Sequence, residues 1–519
     1  VNDQAGQMAI KPLTAFVGVG CVLLTCTAEI RSAQGATRQE LSANPASSSV
    51  CASTLSQQID RLIDQPQFQR SQWGILAQTL EPDSQTLYAR NADRYFVPAS
   101  NVKLLTTAAA LTELGVQFRI RTSVYQVGTT PEGAILQIVG RGDPSLTNAQ
   151  LRSLAEQIRD RGITRIATLI GDDRYFRGDA VNPTWEWEDI QAGYGAPVNS
   201  LILNQNAIGL TLVPQQLGEP LQVVWDQPSE SQEWQIVNRS QTVAADAPEF
   251  VSVGRDLSQP ILIVAGQLRV GAASEPVAVS IPQPGENFLR QFAETLRAAG
   301  IVVDYPEGGT ASHRAQLLPE TDNSPTPTGL EIAAVQSPPL SELLVETNQF
   351  SNNLYAEALL RSLGANQADS SDSALEAGIA ALNRALTRLG IEPESYVLAD
   401  GSGLSRRNWV SPAAIVETLQ AMAQTASASF YRASLSTAGI SGTLQSRFRG
   451  TPIQNELQGK TGVLTGAVAL SGYLNQGDRR AIAFSIIVNQ ANSSLGDTRQ
   501  TIDEIVMLLS QEEWCRRSS

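Results

Sequence analysis

The apolar positions change period along the chain, and the changes outline its elements. Leu55, Ile59, Leu62 and Ile63 in "STLSQQIDRLIDQ" recur at helical spacing. "WGILAQTL" and "TLYARN" read as two strands joined by the turn signal "EPDSQ". "VPASNVKLLTTAAAL" predicts a helix that runs to about Leu114 and is ended by Gly115. From about residue 118 to 303 the pattern is strand-rich, with "RTSVYQV", "AILQIVG", "RIATLIGDD", "AIGLTLV" and "PILIVAG" as strand candidates. Helices are predicted within it at 150–161 and 286–299. "PEGGTASHRAQLLPETDNSPTPTG" has the composition of a linker or exposed loop. Beyond Leu330, "LSELLVETNQFSNNLYAEALLRSLG" and "SALEAGIAALNRALTRLG" are amphipathic helical patterns. "KTGVLTGAVALSGYLNQGDRRAIAFSIIVNQ" reads as adjacent antiparallel strands turning at "NQGD", and "TRQTIDEIVMLLSQ" as a closing helix.

This order predicts an α+β multi-domain chain. Segments 50–117 and 326–519 build one domain of antiparallel sheet and helices. Segment 118–325 is an insertion of one or two strand-rich domains, with a nested subdomain expected at about 212–280. A length of 519 residues accommodates two to four domains. The net charge of -14, with no basic run, argues against a nucleic-acid partner.

The first 36 residues read differently. Lys11 precedes an apolar stretch from Leu13 to about Thr25, followed by the small residues Ala33, Gly35 and Ala36. This is the pattern of a secretory signal peptide, with a retained N-terminal anchor as the alternative. Cys21 and Cys26 fall inside it, leaving Cys51 and Cys515 near the two ends of the exported chain. Export permits a disulfide between them if the terminal helices pack together; two unpaired thiols is the other reading.

The basic residues sharpen the search for chemistry. Of 37 lysines and arginines only Lys11, Lys103 and Lys460 are lysines. Arginine serves as fixed positive charge almost everywhere, whereas lysine can lose its proton when its surroundings favour the neutral amine. His313 is the only histidine and sits in a loop-like segment, which argues against a histidine triad or a multi-histidine metal site. A serine nucleophile here needs another base.

Ser100 and Lys103 stand three apart at the mouth of a helix and so share a face. Taken alone, that pair is equally an N-capping serine and a solvated lysine. Two further elements change the weighting. "SNN", from Ser351 to Asn353, sets a hydroxyl and an amide in an amphipathic helical region, where a helix break is the bland explanation. "KTG", Lys460, Thr461 and Gly462, opens a strand whose edge can pair with extended peptide, and glycine lets the backbone approach closely. The order Ser-x-x-Lys, Ser-x-Asn, Lys-Thr-Gly matches the set used by serine β-lactamases and penicillin-binding proteins.

With these motifs, and with "PASNVKLLT", "GDPSL", "WEWEDIQAGYGAPVNSLILNQN", "SNNLYAE", "DGSGLSRRN", "AGISGTLQSR" and "GKTGVLTG", the chain resembles the class C penicillin-binding proteins, the D-alanyl-D-alanine carboxypeptidase/endopeptidase family. The resemblance implies a transpeptidase-like domain interrupted by the insertion, and an exported, cell-envelope location. It implies that Ser100 forms an acyl-enzyme, that Lys103 is the general base, and that Ser351 and Asn353 relay protons and position substrate. Lys460, Thr461 and Gly462 then recognise a carboxylate, and the amides of Ser100 and of a residue just after Gly462, with Leu464 as the first candidate, form an oxyanion hole. Asp189 is expected to reach Lys103 or an amino-bearing substrate side chain, with a loop carboxylate packed by Trp185 and Trp187 as the alternative. Asp143 and Asp400 are expected to order turns. The implied partners are peptidoglycan peptides, with β-lactams as inhibitors, and neither a cofactor nor a metal. A β-lactamase or esterase on the same catalytic domain, and a non-catalytic wall-binding scaffold, are the competing functions.

Overall fold

The computed structural model describes residues 50–80, 83–227, 234–256, 259–303, 315–319, 329–365, 373–476, 479–491 and 493–513. The leader read over 1–36, His313, Cys515 and the Cys51 side chain lie outside the described residues, so the disulfide reading does too. Among the described residues, no helix is long and apolar enough to cross a membrane.

The chain divides into two compact units, one taking in Gly209–Ala278 and the other the described residues up to Ile208 and from Val279 onward. In the first, Ile261–Arg269 is the central strand of a three-stranded sheet, antiparallel to Phe250–Arg255 and parallel to Gln235–Val243. Leu262, Val264 and Leu268 are buried from this strand while Ile263 stays exposed, the alternation of a sheet covered on one face.

The second unit holds the three motifs. Its helices used below are α1 (Ala52–Ile63), α2 (Val102–Leu114), α3 (Leu340–Asn348), α4 (Asn353–Ala365) and α5 (Leu495–Ser510). Its main sheet is built from β1 (Gln72–Thr79), β2 (Thr86–Arg90), β3 (Leu457–Leu464), β4 (Ala467–Gln476) and β5 (Arg479–Asn489), with the short strand Ser436–Thr437 beside β3. β1 pairs antiparallel with β5, from Gln72↔Asn489 to Thr79↔Ile482, so the two ends of the chain close one sheet.

Strand alternation gives that sheet two apolar faces. Trp73, Ile75 and Ala77 of β1 pack with Leu55 and Ile59 of α1 and Ile502, Ile505 and Val506 of α5. Leu76 points the other way, into a cluster with Leu104, Leu105 and Ala108 of α2 and Leu359 and Leu360 of α4. A sheet covered by helices on both faces buries both sets of side chains. α2 is buried along Val102 to Leu111, which explains why its pattern is apolar all round. Its buried hydroxyls are satisfied: Thr106 donates to the Gly401 carbonyl of a distant loop at 2.7 Å and Thr107 back to the Lys103 carbonyl at 2.6 Å.

A second sheet in the same unit carries Arg121–Thr130, Gly133–Val139 and Arg165–Asp172. Leu330–Gln336 returns antiparallel to Arg121–Thr130, with Gln336 opposite Arg121. The chain thereby re-enters α3 beside the point where it left α2: the Leu340 amide donates to the Phe118 carbonyl at 2.8 Å. That return brings α4 against α2.

Candidate active site

Ser100 lies in a single 3-10 turn, Ala99–Asn101, that runs directly into α2. Ala99 has φ 49, a left-handed conformation that costs a non-glycine residue energy and persists where surrounding packing fixes it. Ser100 is half-buried, while Lys103, one turn on, is fully buried. Lys103 Nζ has three neighbours: Asn353 Oδ1 at 2.7 Å, the Ser402 carbonyl at 2.6 Å and Ser100 Oγ at 3.1 Å. Two of these are obligate acceptors and take two amine hydrogens. The third tetrahedral position of Nζ faces Ser100 Oγ, so in the neutral amine the lone pair points at the serine hydroxyl.

Burial favours that neutral form. Desolvation lowers the Lys103 pKa from 10.5 to about 7, against the opposing pull of Asp400 and Glu357. Lys460 is also fully buried, and burial, then the charge of Lys103, holds its pKa well below the usual lysine value. Lys460 Nζ donates to Ser351 Oγ at 2.9 Å and to the Thr461 carbonyl at 2.8 Å.

The "SNN" segment is the break between α3 and α4. Ser351 has φ 58, and this left-handed residue turns the chain so that Asn353 opens α4. Asn353 therefore meets Lys103 across 250 positions of sequence. Its Nδ2 donates to the Tyr194 carbonyl at 3.0 Å, which fixes the amide with its oxygen toward the lysine.

β3 forms the opposite wall. A Cβ on Gly462 would lie 2.8 Å from the Pro98 carbonyl oxygen and 3.2 Å from Ser100 N, so only glycine lets the strand lie this close to the Ser100 turn. The Thr461 hydroxyl donates to that of Thr443 at 2.8 Å. Leu464 has a different place from the one expected. Antiparallel ladders turn backbone groups alternately to either side. The Leu457 carbonyl accepts the Ala438 amide on the side away from β4, whereas the Glu456 carbonyl accepts the Asn475 amide on the β4 side. By that alternation Leu464, opposite Ala467, turns its amide into the β4 ladder, and Val463 turns its amide to the open edge. The Leu464 side chain packs beside Phe176, Trp185, Leu354 and Leu404.

Asp189 makes no hydrogen bond to Lys103, whose acceptors are those named above. Its Oδ1 accepts the Tyr194 hydroxyl at 3.0 Å, and Tyr194 in turn holds Asn353 through its carbonyl. Burial raises the Asp189 pKa, opposed mainly by the Tyr194 hydrogen bond. Trp185 is buried and Trp187 is exposed. Asp143 accepts the Ser145 amide and hydroxyl at 2.9 and 2.6 Å, closing a local turn. Asp400 accepts the amides of Gly403 and Ser405, at 2.7 and 2.6 Å, and the Asn408 side chain at 2.7 Å. It also accepts Trp185 Nε1 at 3.0 Å, so it ties two loops together. Sequence reasoning missed the Ser402 carbonyl, Glu357, Tyr194, Thr443 and the Val463 amide. Glu357, Tyr194 and Thr443 lie inside stretches that carry the family resemblance, which is the signal that points to them. Among the described residues no cluster of metal-binding side chains occurs.

Known proteins share this architecture. The chain is 30% identical to a D-alanyl-D-alanine carboxypeptidase of Actinomadura sp. (strain R39), over 84% of this chain and 81% of the relative. It is 26% identical to the penicillin-sensitive carboxypeptidase A of Dictyostelium discoideum, over 85% and 87%. Penicillin binding protein 4 of Haemophilus influenzae matches in fold with a TM-score of 0.73 at 23% identity, over 87% of this chain and 99% of that one. A family model matches residues 55–512, nearly all of the described chain, and the chain belongs to the D-Ala-D-Ala carboxypeptidase 3 (S13) family of serine peptidases.

Proposed function

We propose that Ser100 is the nucleophile through which this enzyme removes the terminal D-alanine from peptidoglycan peptides, with Lys103 as its base. The observation that carries this reading is the surround of Lys103 Nζ: two acceptors fix the amine, and its remaining position faces Ser100 Oγ. As the Ser100 oxygen bonds to the carbonyl carbon between two D-alanines, its proton moves to Nζ. The C–N bond then breaks, and the departing D-alanine takes a proton at its nitrogen by way of Lys103 or the Ser351 hydroxyl. Water attacks the ester and restores Ser100.

The amides of Ser100 and Val463 are suited to hold the carbonyl oxygen as it gains charge. Thr461 and Lys460 suit the terminal carboxylate, and the open edge of β3 suits backbone pairing with extended peptide. Asp189, held by Tyr194, suits an amino group on a longer substrate side chain. β-Lactams acylate Ser100 in the same way, and a solved structure of penicillin binding protein 4 from Haemophilus influenzae is of its complex with a β-lactam. The peptidoglycan substrate and the leader pattern at the N-terminus both support export.

The test is release of D-alanine from a pentapeptide ending in D-Ala-D-Ala, together with labelling by a fluorescent penicillin. Both are expected in the wild type and both lost in Ser100→Ala. A Ser100→Ala protein that still labels, or a wild type that does neither, overturns the assignment. Digestion of cross-linked peptidoglycan with mass analysis of the products separates carboxypeptidase from endopeptidase activity.

A further inference from the structure

α4 carries Asn353 and, four residues on along the same face, Glu357. Glu357 is fully buried. Its Oε1 accepts the amides of Gly401 and Ser402 at 2.9 and 2.8 Å. The carbonyl of that same Ser402 accepts Lys103 Nζ at 2.6 Å. One carboxyl therefore pins the two amides that lead into the residue whose carbonyl grips the base. Gly403 is pinned from the other side by Asp400.

The charged groups around this cluster come from several elements. Asp400, on the loop, and Glu357, on α4, act on Lys103 of α2. Lys103 in turn acts on Lys460 of β3. Arg361, one turn beyond Glu357 on α4, is buried, donates to the Asp179 and Ala180 carbonyls and faces Glu357. Burial and the charge of Asp400 raise the Glu357 pKa to about 7, although the Gly401 amide, Ser402 and Arg361 favour its ionised form. A carboxyl and an amine in one dry pocket that titrate in the same range share their protons as a pair.

We propose that Glu357 is a positioning residue for Lys103, placing the Ser402 carbonyl by holding the Gly401 and Ser402 amides and, when ionised, compensating the ammonium that forms as Ser100 loses its proton. The most active state then has Lys103 neutral and Glu357 ionised. Reaching it from acid requires the loss of two protons. This rests on the reading of Ser100 and Lys103 as nucleophile and base.

The experiment is the second-order rate of acylation by a fluorescent penicillin across pH 5 to 9, for wild type and Glu357→Gln, with thermal melting as the check on folding. Glutamine keeps an oxygen for the two amides but carries no charge. In the wild type the acid limb is expected to fall more steeply than one proton allows. In Glu357→Gln it is expected to become a single-proton limb centred at lower pH, with a plateau about tenfold lower. A folded Glu357→Gln enzyme with the wild-type midpoint and slope overturns the proposal. So does a single-proton limb in the wild type, a measurement that stands if the variant fails to fold. A wild type that does not acylate at all overturns the nucleophile assignment and this inference with it, whereas acylation with an unaltered variant profile overturns this inference alone.

Discussion

Gly403→Ala is expected to disable acylation, because the added atom would press on the backbone of the turn that carries Ser100. Gly403 has φ +83, and a Cβ there would lie 1.9 Å from the Ala99 carbonyl oxygen and 3.0 Å from Ser100 N. An ordinary contact needs ~3.4 Å or more, so the loop and the nucleophile turn must separate by about 1.5 Å. Neither can move freely. Ala99 already holds a left-handed conformation, and the loop is tied by Asp400 to Gly403 N and by Glu357 to Ser402 N. The left-handed alanine alone costs about 1–2 kcal/mol, and with the displacement the loss of stability is expected at about 2–4 kcal/mol. A shift of this size between nucleophile and base lowers the rate by about 100-fold. Gly390→Ala is the matched control: its φ is +87, yet a Cβ there meets nothing within 4 Å. It is expected to lose only the backbone part, about 1–2 kcal/mol, and to acylate normally. Urea unfolding measures the first quantity and fluorescent-penicillin kinetics the second. If Gly403→Ala matches Gly390→Ala in both, the close approach does not hold the nucleophile in place and the reasoning is wrong.

Three further outcomes follow from the same geometry. If Lys103 is the base proposed above, its neutral amine is the reactive form, and with its pKa lowered to about 7 acylation should hold steady above neutrality and fall as the pH drops below about 7; a rate constant that stays flat from pH 5.5 to 8 contradicts this. Asn353→Asp places a carboxylate oxygen where an amide oxygen stands 2.7 Å from Nζ, which favours the ammonium and should move the acid limb to higher pH by a unit or more, read in the same pH series. Asp189→Asn should reduce kcat/KM about tenfold for pentapeptides with an amino-bearing side chain, leaving acylation by simple β-lactams within about twofold; equal loss on both substrates would assign Asp189 to the fold instead.

The three motifs were legible because each depends on side chains with distinctive chemistry, and a chain with so few lysines made Lys103 and Lys460 conspicuous. Their meeting was less legible, since it depends on Leu330–Gln336 returning beside Arg121–Thr130 and delivering α4 to α2. Backbone groups leave no mark in composition. The Ser402 carbonyl that grips Lys103 could belong to any residue type, and so could the Val463 amide. Leu464 was a reasonable expectation for a strand after "KTG", but the open edge follows from which neighbour β3 pairs with at each position. Non-glycine residues in left-handed conformations are equally silent: neither Ala99 nor Ser351 announces that it turns the chain at the site.

These hidden features share a cause. A base that must be neutral has to be buried, and a buried amine must have its hydrogens accepted by groups that do not themselves favour the ammonium too strongly. An amide oxygen and a peptide carbonyl meet that condition, whereas a carboxylate in direct contact would not. The carboxyls are accordingly set one step away: Asp400 on the backbone of its own loop and on Trp185, Glu357 on the amides of Gly401 and Ser402, just ahead of the carbonyl that meets the lysine. From there they oppose the desolvation of Lys103 without reversing it, and its pKa settles at about 7 rather than lower still. The distance of the acids from the base is therefore as much a part of the site as the motifs, and the folded arrangement of loop 400–403 against α2 and α4 is what sets it.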